Sequence, residues 1–284
     1  MPGGKPQAMQ SSQMKSLAEG LIPVALDVGM LQLRHREAGV KAEHKADESP
    51  VTIADRESEA LILAALRKLA PGVPVIAEES IAAGHVPQIG DVFFLVDPLD
   101  GTKGYVRGDK EFTINIALVE SRRPVFGLLY APALSDFYVT VAADVTLAAS
   151  VAPEASTRTL DTIAFAPVKS RAPDPNGLAA LTSQSHLNYA TRDFLDGYEI
   201  SERKAVSSSL KFGLIARGQW DLYPRVGPTS EWDTAAGHAV LAGAGGTVTL
   251  LDGQPLLYGN ATAKFVNPNF VAWGRAPLAP TKRR

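Results

Sequence analysis

A short apolar run that ends in two closely spaced acids constrains this chain more than any other feature of its sequence. Residues 92–96 read Val-Phe-Phe-Leu-Val, which is typical of a buried strand, and Asp97-Pro98-Leu99-Asp100-Gly101-Thr102 follow directly. Pro98 cannot donate a hydrogen bond to a neighbouring strand, so we expect the strand to end there. Gly101 allows the backbone to approach a ligand closely. Two carboxylates at a buried strand end repel each other unless a cation lies between them, and a solvated acidic turn is the alternative.

Composition limits the metal that such a turn could bind. The chain has 284 residues, of which 45% are hydrophobic and 20% charged, and its formal net charge is −2. These values fit a soluble protein with one large domain or two modest ones, and they give no basic field for a nucleic acid. There is no cysteine, and the five histidines are scattered without a metal-binding spacing. Any metal is therefore expected to be a hard cation on oxygen ligands.

The N-terminal region predicts a cytoplasmic protein without a membrane span. Residues 1–13 are polar and lack the apolar core of a signal peptide. Residues 21–33 are apolar, but Pro23 and Asp27 interrupt them and the stretch is too short to cross a bilayer. Residues 281–284 are typical of a frayed tail. Neither a nucleic acid nor a membrane is expected as a partner.

Periodicity and turn residues divide the chain into a flexible tail at residues 1–13, an α+β half at residues 14–150 and an α/β half at residues 151–284. Helices are predicted at residues 14–38, 56–70, 210–216 and 232–244, and the second follows a capping box at Thr52-Ile53-Ala54-Asp55. Strands are predicted at residues 73–77, 91–96, 112–120, 125–130, 137–142, 162–166, 181–184 and 198–201. Residues 44–50 predict a charged loop, and residues 143–158 predict a surface excursion between the halves.

Acidic residues recur at the predicted strand ends and helix starts. Glu78-Glu79 follow one predicted strand, Asp97 and Asp100 follow the next, and Asp55 and Asp233 lie at predicted helix starts. Each has a structural alternative. Asp55 and Asp233 lie three residues after a Thr or a Ser and could simply cap helices, and Glu78-Glu79 could form a solvated turn. Acids at the ends of neighbouring strands, however, can meet at one edge of a sheet.

Such a cluster predicts metal-dependent phosphoryl chemistry. Clustered carboxylates destabilise a fold unless they are neutralised. Two or three Mg²⁺ ions would neutralise them, since Mg²⁺ binds a few carboxylates together with substrate phosphate and water. Metal ions of this kind activate water and stabilise the attacking and leaving oxygens of phosphoryl transfer. The backbone N–H groups of Gly101 and Thr102 could bind phosphate oxygens. The residues alone therefore predict a Mg²⁺-dependent phosphatase.

Three motifs, in this order, resemble the inositol monophosphatase-like, lithium-sensitive phosphatase superfamily. They are Ala77-Glu78-Glu79-Ser80, the stretch from Asp97 to Thr102, and Trp232-Asp233-Thr234-Ala235-Ala236-Gly237, and the resemblance extends over residues 49–269. Finer details are more similar to the CysQ-type 3′(2′),5′-bisphosphate nucleotidases, through residues 97–103, 111–118, 208–212, 222–225 and 232–240. The resemblance implies an α+β fold, a layered α-β-α-β-α sandwich of the inositol monophosphatase and sugar phosphatase type, with the site between the two halves.

The resemblance also implies a set of metal ligands. One Mg²⁺ would be held by Glu78, Asp97 and the Leu99 carbonyl. A second would be held by Asp97, Asp100 and Asp233, so that Asp97 bridges the two ions. A third, weaker ion would lie near Glu78. Li⁺ would inhibit by occupying a Mg²⁺ position.

Catalytic and phosphate-binding roles follow from the same resemblance. Asp55 and Thr102 would orient and deprotonate the attacking water, and Asp55 would also reach the third ion through water. The transferred phosphate and the rest of the substrate near the metals would contact Glu78, Leu99, Asp100, Gly101, Thr102 and Asp233. Gly104 departs from the acid expected at this position, which predicts a more mobile loop through Gly108.

Substrate choice is expected to rest on the second half. Ser208, Lys211 and Arg225 match positions that bind the remaining phosphate or the nucleoside in the bisphosphate nucleotidases. Arginine grips phosphate with two hydrogen bonds, and lysine acts as a point charge. The alternative is that Lys211 and Arg225 are ordinary surface residues. His186 is expected near the base, although a lone histidine is more often structural.

The leading hypothesis is Mg²⁺-dependent hydrolysis of adenosine 3′,5′-bisphosphate to AMP and phosphate, which would clear a by-product of sulfate assimilation. An inositol monophosphatase or a related sugar phosphatase is the first alternative, since it would share every metal ligand. A nucleotide-binding protein without catalysis is the second. The resemblance is compatible with a monomer or a homodimer, and the expected partner is a small nucleotide.

Overall fold

The computed structural model describes residues 9–45, 48–153 and 158–281. Residues 1–8 of the predicted tail, part of the predicted excursion and residues 282–284 lie outside this range. Helix α1 begins at Ser11, so the predicted tail is too long at its C-terminal end. The reason is a capping box in which the Gln10 backbone N–H donates to Gln13 Oε1 over 2.9 Å, which begins the helix three residues earlier than expected.

Helices and strands alternate irregularly along the described chain. The α-helices are α1 Ser11–Glu37, α2 Ile53–Leu69, α3 Glu78–Ala82, α4 Thr102–Arg107, α5 Tyr189–Asp196, α6 Leu210–Ala216 and α7 Ala235–Gly243, with short 3₁₀ turns at Glu231–Asp233 and Ala261–Ala263. The strands are β1 Ala42–His44, β2 Pro50–Thr52, β3 Val75–Ala77, β4 Val92–Asp100, β5 Thr113–Glu120, β6 Arg123–Ala131, β7 Asp136–Ala142, β8 Val145–Ser150, β9 Ala166–Val168, β10 Leu178–Ser183, β11 Ile200–Val206, β12 Leu222–Arg225, β13 Thr247–Leu250 and β14 Phe270–Trp273.

Two large sheets form the body of the molecule. The first has the order β3-β4-β5-β6-β7-β8-β9, with β3 parallel to β4 and each later pair antiparallel. The second has the order β11-β10-β12-β14-β13, with β10 parallel to both β11 and β12 and the remaining pairs antiparallel. β1 and β2 form a separate antiparallel hairpin. Strand β9 extends the first sheet beyond the predicted division after residue 150.

The sheets and helices stack in five layers. Helices α1 and α2 pack on one face of the first sheet, and α6 and α7 pack between the two sheets. Helix α5 covers the outer face of the second sheet, against strand β12. Each layer contact is an apolar core, the largest of them lying between the sheets around α6 and α7. The predicted layered α-β-α-β-α sandwich is confirmed.

The structure of strand β4 differs from the prediction that this strand ends at Pro98. The strand does not end at Pro98 but continues to Asp100. Asp97 is opposite Asn115 and Asp100 is opposite Thr113, so four residues of β4 face three residues of β5. This β-bulge accommodates Pro98, because a bulged residue does not need to donate an N–H hydrogen bond to the partner strand.

Other local predictions also differ from the structure. The predicted charged loop contains parts of the β1–β2 hairpin, and the predicted excursion contains β8, whose alternating burial fits an edge region of the first sheet. The strand predicted at residues 162–166 is β9, four residues further along. Helix α5 and strands β13 and β14 were not predicted, since each is short.

Helix α1 is longer than the apolar stretch that the sequence suggested. Its 27 residues give it a length and composition that would allow it to cross a membrane. In the structure its apolar side, which includes Leu17, Leu21 and Leu26, is buried against the first sheet and α2. We therefore describe it as a core helix.

Candidate active site

One cleft of about 390 Å³ collects almost all of the predicted site residues. Its walls come from the end of β4, the first turns of α3, α4 and α6, strand β12 and the segment before α7. Predicted residues that line it are Glu78, Asp97, Leu99, Asp100, Gly101, Thr102, His186, Ser208, Lys211, Arg225 and Asp233. Asp55 lies behind this surface and reaches it through Thr102.

The bulged end of β4 gives its residues different directions. Asp97 Oδ1 accepts the Leu99 backbone N–H over 3.0 Å, which fixes the carboxylate while the chain turns. Gly101 has a φ of +101°, and a Cβ there would lie 3.3 Å from the Glu111 carbonyl oxygen. Both the left-handed conformation and the close approach therefore require glycine. The turn ends where α4 starts at Thr102, beside the cleft.

Asp55 caps α2 with one carboxylate oxygen and serves the cleft with the other. Its Oδ2 accepts the Thr52 backbone N–H over 2.8 Å and the Thr52 hydroxyl over 2.6 Å. Its Oδ1 accepts the Thr102 hydroxyl over 2.9 Å. Asp55 is only 2% exposed, and burial raises its pKa above the ordinary value. The capping and functional interpretations of Asp55 are thus compatible, because they use different oxygens.

Asp233 repeats this arrangement at the other side of the cleft. Its Oδ2 accepts the Ser230 backbone N–H over 2.9 Å, within a capping box that begins the short helical turn before α7. The same carboxylate lines the cleft. Burial raises the pKa of Asp233, and the nearby charges of Asp100 and Glu78 raise it further.

The acids are close enough to oppose one another's ionisation. Burial raises the pKa of Asp97 well above its ordinary value, and Glu78, Asp100 and Asp233 add to the effect. Burial raises the pKa of Asp100 to about 6, although the Lys211 ammonium and the Ser209 backbone N–H act in the opposite direction. The cluster therefore favours a positive partner.

Lys45 provides such a partner for one edge of the cluster. Its ammonium donates to Glu78 Oε1 over 2.6 Å and to Glu79 Oε1 over 2.7 Å. Burial lowers the pKa of Lys45, but these two carboxylates outweigh burial and raise it overall. Burial and the Glu78 charge raise the pKa of Glu79 to about 7.

The chemistry of the donor set suits a hard divalent cation. Among the described residues, no three acidic or imidazole side chains stand at the short separations of a closed ligand set. The repulsion that raises the pKa of Asp97, Asp100 and Asp233 is nevertheless what a bound cation would relieve. Carboxylates together with the Leu99 carbonyl offer only oxygen, as Mg²⁺ prefers. The residues present therefore fit Mg²⁺.

The cationic side chains of the second half share the cleft with these acids. Lys211 is 3% exposed and its ammonium donates to the Val206 and Ser208 carbonyl oxygens, which leaves one of its three N–H donors. Burial lowers the pKa of Lys211 to about 8. Arg225 is 6% exposed, and its buried Nε has no hydrogen-bond partner among the described residues. Lys211 and Arg225 are therefore not ordinary surface residues.

His186 lies at the rim of the cleft. Its Nδ1 is 3.3 Å from the Ser183 hydroxyl oxygen. Partial burial lowers the pKa of His186, as do the positive charges of Arg225, Lys103 and Lys211. The imidazole is therefore neutral at pH 7. Lys103 lines the cleft as well, although the sequence interpretation gave it no role.

Several buried polar residues hold the segments that carry the acids, and the sequence interpretation missed them. Gln32 Nε2 donates to the Pro98 carbonyl over 2.7 Å. Glu59 accepts the Glu79 backbone N–H over 2.7 Å. Asn267 Nδ2 donates to the Ser230 carbonyl over 2.7 Å and to the Thr234 hydroxyl over 3.0 Å. Gln32 and Glu59 are polar residues among the apolar residues of the buried faces of α1 and α2. This pattern could have identified them from the sequence.

The site is a buried acid cluster at the bulged end of β4, in a fold of two layered sheets. The sequence profile of the Inositol monophosphatase family matches residues 12–277. The chain therefore belongs to the inositol monophosphatase family.

Similar proteins place the chain within one part of this family. The 3′(2′),5′-bisphosphate nucleotidase CysQ of Shigella flexneri is 40% identical over 226 residues, which are 80% of this chain and 86% of that protein. CysQ of Buchnera aphidicola is 33% identical over 244 residues, 86% of this chain and 87% of that protein. The crystal structure of CysQ from Bacteroides thetaiotaomicron has a TM-score of 0.75 and 32% identity, and covers 93% of this chain and 98% of that one. A Thermotoga maritima IMPase shares the fold, with a TM-score of 0.65 and 23% identity, covering 88% and 89% of the two chains.

Proposed function

We propose that this protein is a Mg²⁺-dependent phosphomonoesterase that hydrolyses adenosine 3′,5′-bisphosphate to AMP and phosphate. The observation that carries the proposal is that one cleft is lined by the acid cluster and also by Lys211 and Arg225. A substrate with two phosphates needs both environments, a metal site for the reacting phosphate and cations for the other. The similarity to proteins named 3′(2′),5′-bisphosphate nucleotidase supports the same substrate class.

The metal ligands that we propose are those expected from the sequence. Glu78, Asp97 and the Leu99 carbonyl would hold one Mg²⁺, and Asp97, Asp100 and Asp233 a second. A third would lie near Glu78, where the Lys45 ammonium lies in this structure. Bound Mg²⁺ supplies positive charge that binds phosphate oxygens and lowers the pKa of water. We also propose that Li⁺ inhibits at one of these positions.

Asp55 and Thr102 are the proposed proton-handling pair. The Thr102 hydroxyl lies 2.9 Å from Asp55 Oδ1 and 3.1 Å from the Leu99 carbonyl oxygen. Because Asp55 Oδ2 is occupied by Thr52, Oδ1 is the oxygen that can receive a proton relayed from the attacking water through Thr102. The raised pKa of Asp55 makes it a better proton acceptor than an exposed aspartate. The Gly101 and Thr102 backbone N–H groups would orient the phosphate.

The other end of the substrate would lie against the second half. The Arg225 guanidinium, which lines the cleft, would bind the second phosphate, and Lys211 would add its remaining N–H. Ser208 would donate a hydrogen bond to the phosphate or the ribose. The neutral His186 ring would stack on the base. With this arrangement, the metals fix the reaction and the second half fixes the substrate.

A phosphate-release panel tests the proposal. Purified protein is assayed with adenosine 3′,5′-bisphosphate, adenosine 2′,5′-bisphosphate and inositol 1-phosphate, with Mg²⁺, with a chelator and with Mg²⁺ plus Li⁺. We expect Mg²⁺-dependent release, fastest with the 3′,5′-bisphosphate and reduced by Li⁺. Faster release from inositol 1-phosphate would favour the alternative inositol or sugar phosphatase. No release from any substrate would favour the nucleotide-binding protein without catalysis.

Arg225→Ala sharpens the substrate assignment. Loss of a charge-assisted bidentate contact is expected to reduce kcat/KM for the bisphosphate by about ten- to a hundredfold, since such contacts contribute about 1.5–3 kcal/mol. Arg203→Ala removes an exposed arginine from strand β11 of the same sheet and is the matched control. Full activity of Arg225→Ala on the bisphosphate would contradict the nucleotide assignment.

We further propose that the protein acts in the cytoplasm on this small nucleotide, in sulfur metabolism, as a monomer or a homodimer. Sedimentation with and without Mg²⁺ measures the oligomeric state. We also propose the division into a tail at residues 1–13 and halves at residues 14–150 and 151–284. Helix α1 begins at Ser11, and strand β9 pairs with β8 of the first sheet.

A further inference from the structure

The segment Val206–Ser209, which we call the serine turn, joins the second sheet to α6 at the floor of the cleft. It begins at Val206, the last residue of strand β11, and ends before Leu210, the first residue of α6. Ser208 has a φ of +55°, a left-handed conformation that is uncommon for residues other than glycine. Such a conformation persists only where the surroundings impose it. The contacts of the serine turn therefore decide where Ser208 lies.

Two carboxylates of the first half hold the backbone of the serine turn. Glu111 Oε2 accepts the Ser207 backbone N–H over 2.8 Å. Asp100 Oδ2 accepts the Ser209 backbone N–H over 2.6 Å. These bonds join residues 96 and 109 positions apart in the chain, and they connect the half that carries most of the acids to the half that carries Lys211 and Arg225.

Side chains complete the attachment of the serine turn. The Ser209 hydroxyl is 2.6 Å from Asn115 Oδ1 and 2.8 Å from the Thr113 hydroxyl, both on β5. From its own half, Lys211 donates to the Val206 and Ser208 carbonyl oxygens. The serine turn and the Lys211 ammonium thus form one hydrogen-bonded unit, and moving the turn moves the cation.

Glu111 differs from the other groups that hold this unit. Asp100 is a proposed metal ligand and Lys211 a proposed substrate contact, and both line the cleft. Glu111 is outside the described residues that line it. Glu111 precedes β5, and its carboxylate contacts the Ser207 backbone N–H. It can therefore position the turn without lining the cleft itself.

We propose that Glu111 is a positioning residue for the second phosphate of the substrate, which it places by holding the Ser207 backbone N–H and thereby the serine turn and Lys211. The proposal rests on the proposed bisphosphate activity. It predicts that Glu111 affects how well the enzyme distinguishes a nucleotide with a second phosphate from one without it, whereas hydrolysis of the reacting phosphate depends on the proposed metal-binding acids.

The test compares adenosine 3′,5′-bisphosphate with adenosine 3′-monophosphate, which lacks only the second phosphate. For wild type, Glu111→Ala and Glu111→Gln, kcat and KM are measured with both substrates in saturating Mg²⁺. For Glu111→Ala we expect the ratio of the two kcat/KM values to fall about tenfold or more, mainly through KM for the bisphosphate, since a small misplacement of a binding group can cost up to about a hundredfold. Glu111→Gln retains an oxygen acceptor for Ser207 and is expected to recover part of the ratio.

Glu202→Ala is the matched control, because Glu202 is an exposed acid on β11, the strand that leads into the serine turn. Its ratio is expected to equal that of wild type. An equal loss with both substrates in Glu111→Ala, or an unchanged ratio, would overturn the role of Glu111 and leave the proposed function standing. Absence of any preference for the bisphosphate in the wild type would overturn the proposed function itself. If Glu111→Ala fails to fold, the ratio for Glu111→Gln decides the question. A ratio below that of wild type supports the role of Glu111, and a ratio equal to that of wild type overturns it.

Discussion

Asp97 is the side chain whose ionisation is opposed by burial and by three neighbouring acids. It is 1% exposed, at the bulge of β4, and the charges of Glu78, Asp100 and Asp233 reach it. A carboxylate in such a place raises the free energy of the metal-free fold and becomes favourable when a cation binds. We therefore expect Asp97 to lower the stability of the metal-free protein and to increase its affinity for a cation.

Asp97→Asn separates these two effects. Turnover is expected to fall to background, because a neutral amide would not hold the two ions that Asp97 is proposed to bridge. Without metal, the free energy of unfolding at pH 7 is expected to rise by about 1 kcal/mol, since one of four mutually repelling charges is removed while Asn Oδ1 can still accept the Leu99 N–H. Phosphate release and thermal unfolding in chelator measure the two effects.

Asp91→Asn is the control for this substitution, because Asp91 is exposed just before the other end of β4. It is expected to change neither activity nor stability. A metal-free Asp97→Asn protein that melts below the wild type would show that the acids do not repel one another as proposed.

At the scale of elements, the long helix α1 reaches across the fold to shape the acidic turn. Gln32 is fully buried, and its Nε2 donates to the Pro98 carbonyl over 2.7 Å and to the Ser58 hydroxyl over 3.1 Å. Pro98 lies between Asp97 and Leu99, so a side chain from the first helix fixes the bulge that presents two proposed metal ligands.

Gln32→Leu tests this contact between elements. The leucine leaves the Pro98 carbonyl buried without a partner, which is expected to destabilise the protein by about 1–3 kcal/mol. The half-saturating Mg²⁺ concentration for activity is also expected to rise, because the bulge loses its support. Arg34→Leu, at an exposed position on the same helix, is the control. Wild-type melting and Mg²⁺ dependence in Gln32→Leu would contradict the role of α1.

Elements whose signals lie in neighbouring residues could be predicted from the sequence. The capping box of Thr52 and Asp55 and the helix Leu210–Ala216 are confirmed, because caps and apolar periodicity depend on nearby residues. The continuation of β4 through Pro98 was not predicted, because a bulge depends on pairing with β5. The part played by Gln32 likewise depends on a contact 66 residues away in the chain.

At the scale of the whole molecule, the layered fold was implied by the family resemblance of the three motifs, and the clustering of the acids was predicted because they follow strand ends that can meet at one edge of a sheet. Every predicted site residue lies in the cleft or, as for Asp55, in contact with it. The Lys45 contact with Glu78 and the attachment of the serine turn by Glu111 were not predicted. Both join segments from different elements through side chains that no local pattern distinguishes.

The acid cluster also gives the whole protein a characteristic pH dependence when metal is absent. Unfolded Asp and Glu titrate near pH 4, whereas burial raises the pKa of Asp100 to about 6 and that of Glu79 to about 7. Between these values the folded protein binds more protons than the unfolded chain, so its stability falls as pH rises. His238 acts in the opposite direction, since burial lowers its pKa to about 3 and its contribution grows up to the unfolded value near pH 6.5.

We therefore expect the melting temperature in chelator to fall between about pH 6.5 and 7.5, where the His238 contribution is complete and the acids still lose protons. Saturating Mg²⁺ should raise the melting temperature more at pH 7.5 than at pH 5.5, because the cation binds the ionised carboxylates and stabilises the fold by mass action. In Asp97→Asn both the fall in chelator and the extra gain with Mg²⁺ should be smaller. Two results together would contradict this prediction: a melting temperature that rises through this range without metal, and the same increase with Mg²⁺ at both pH values. They would show that the acids do not repel one another and do not bind the ion.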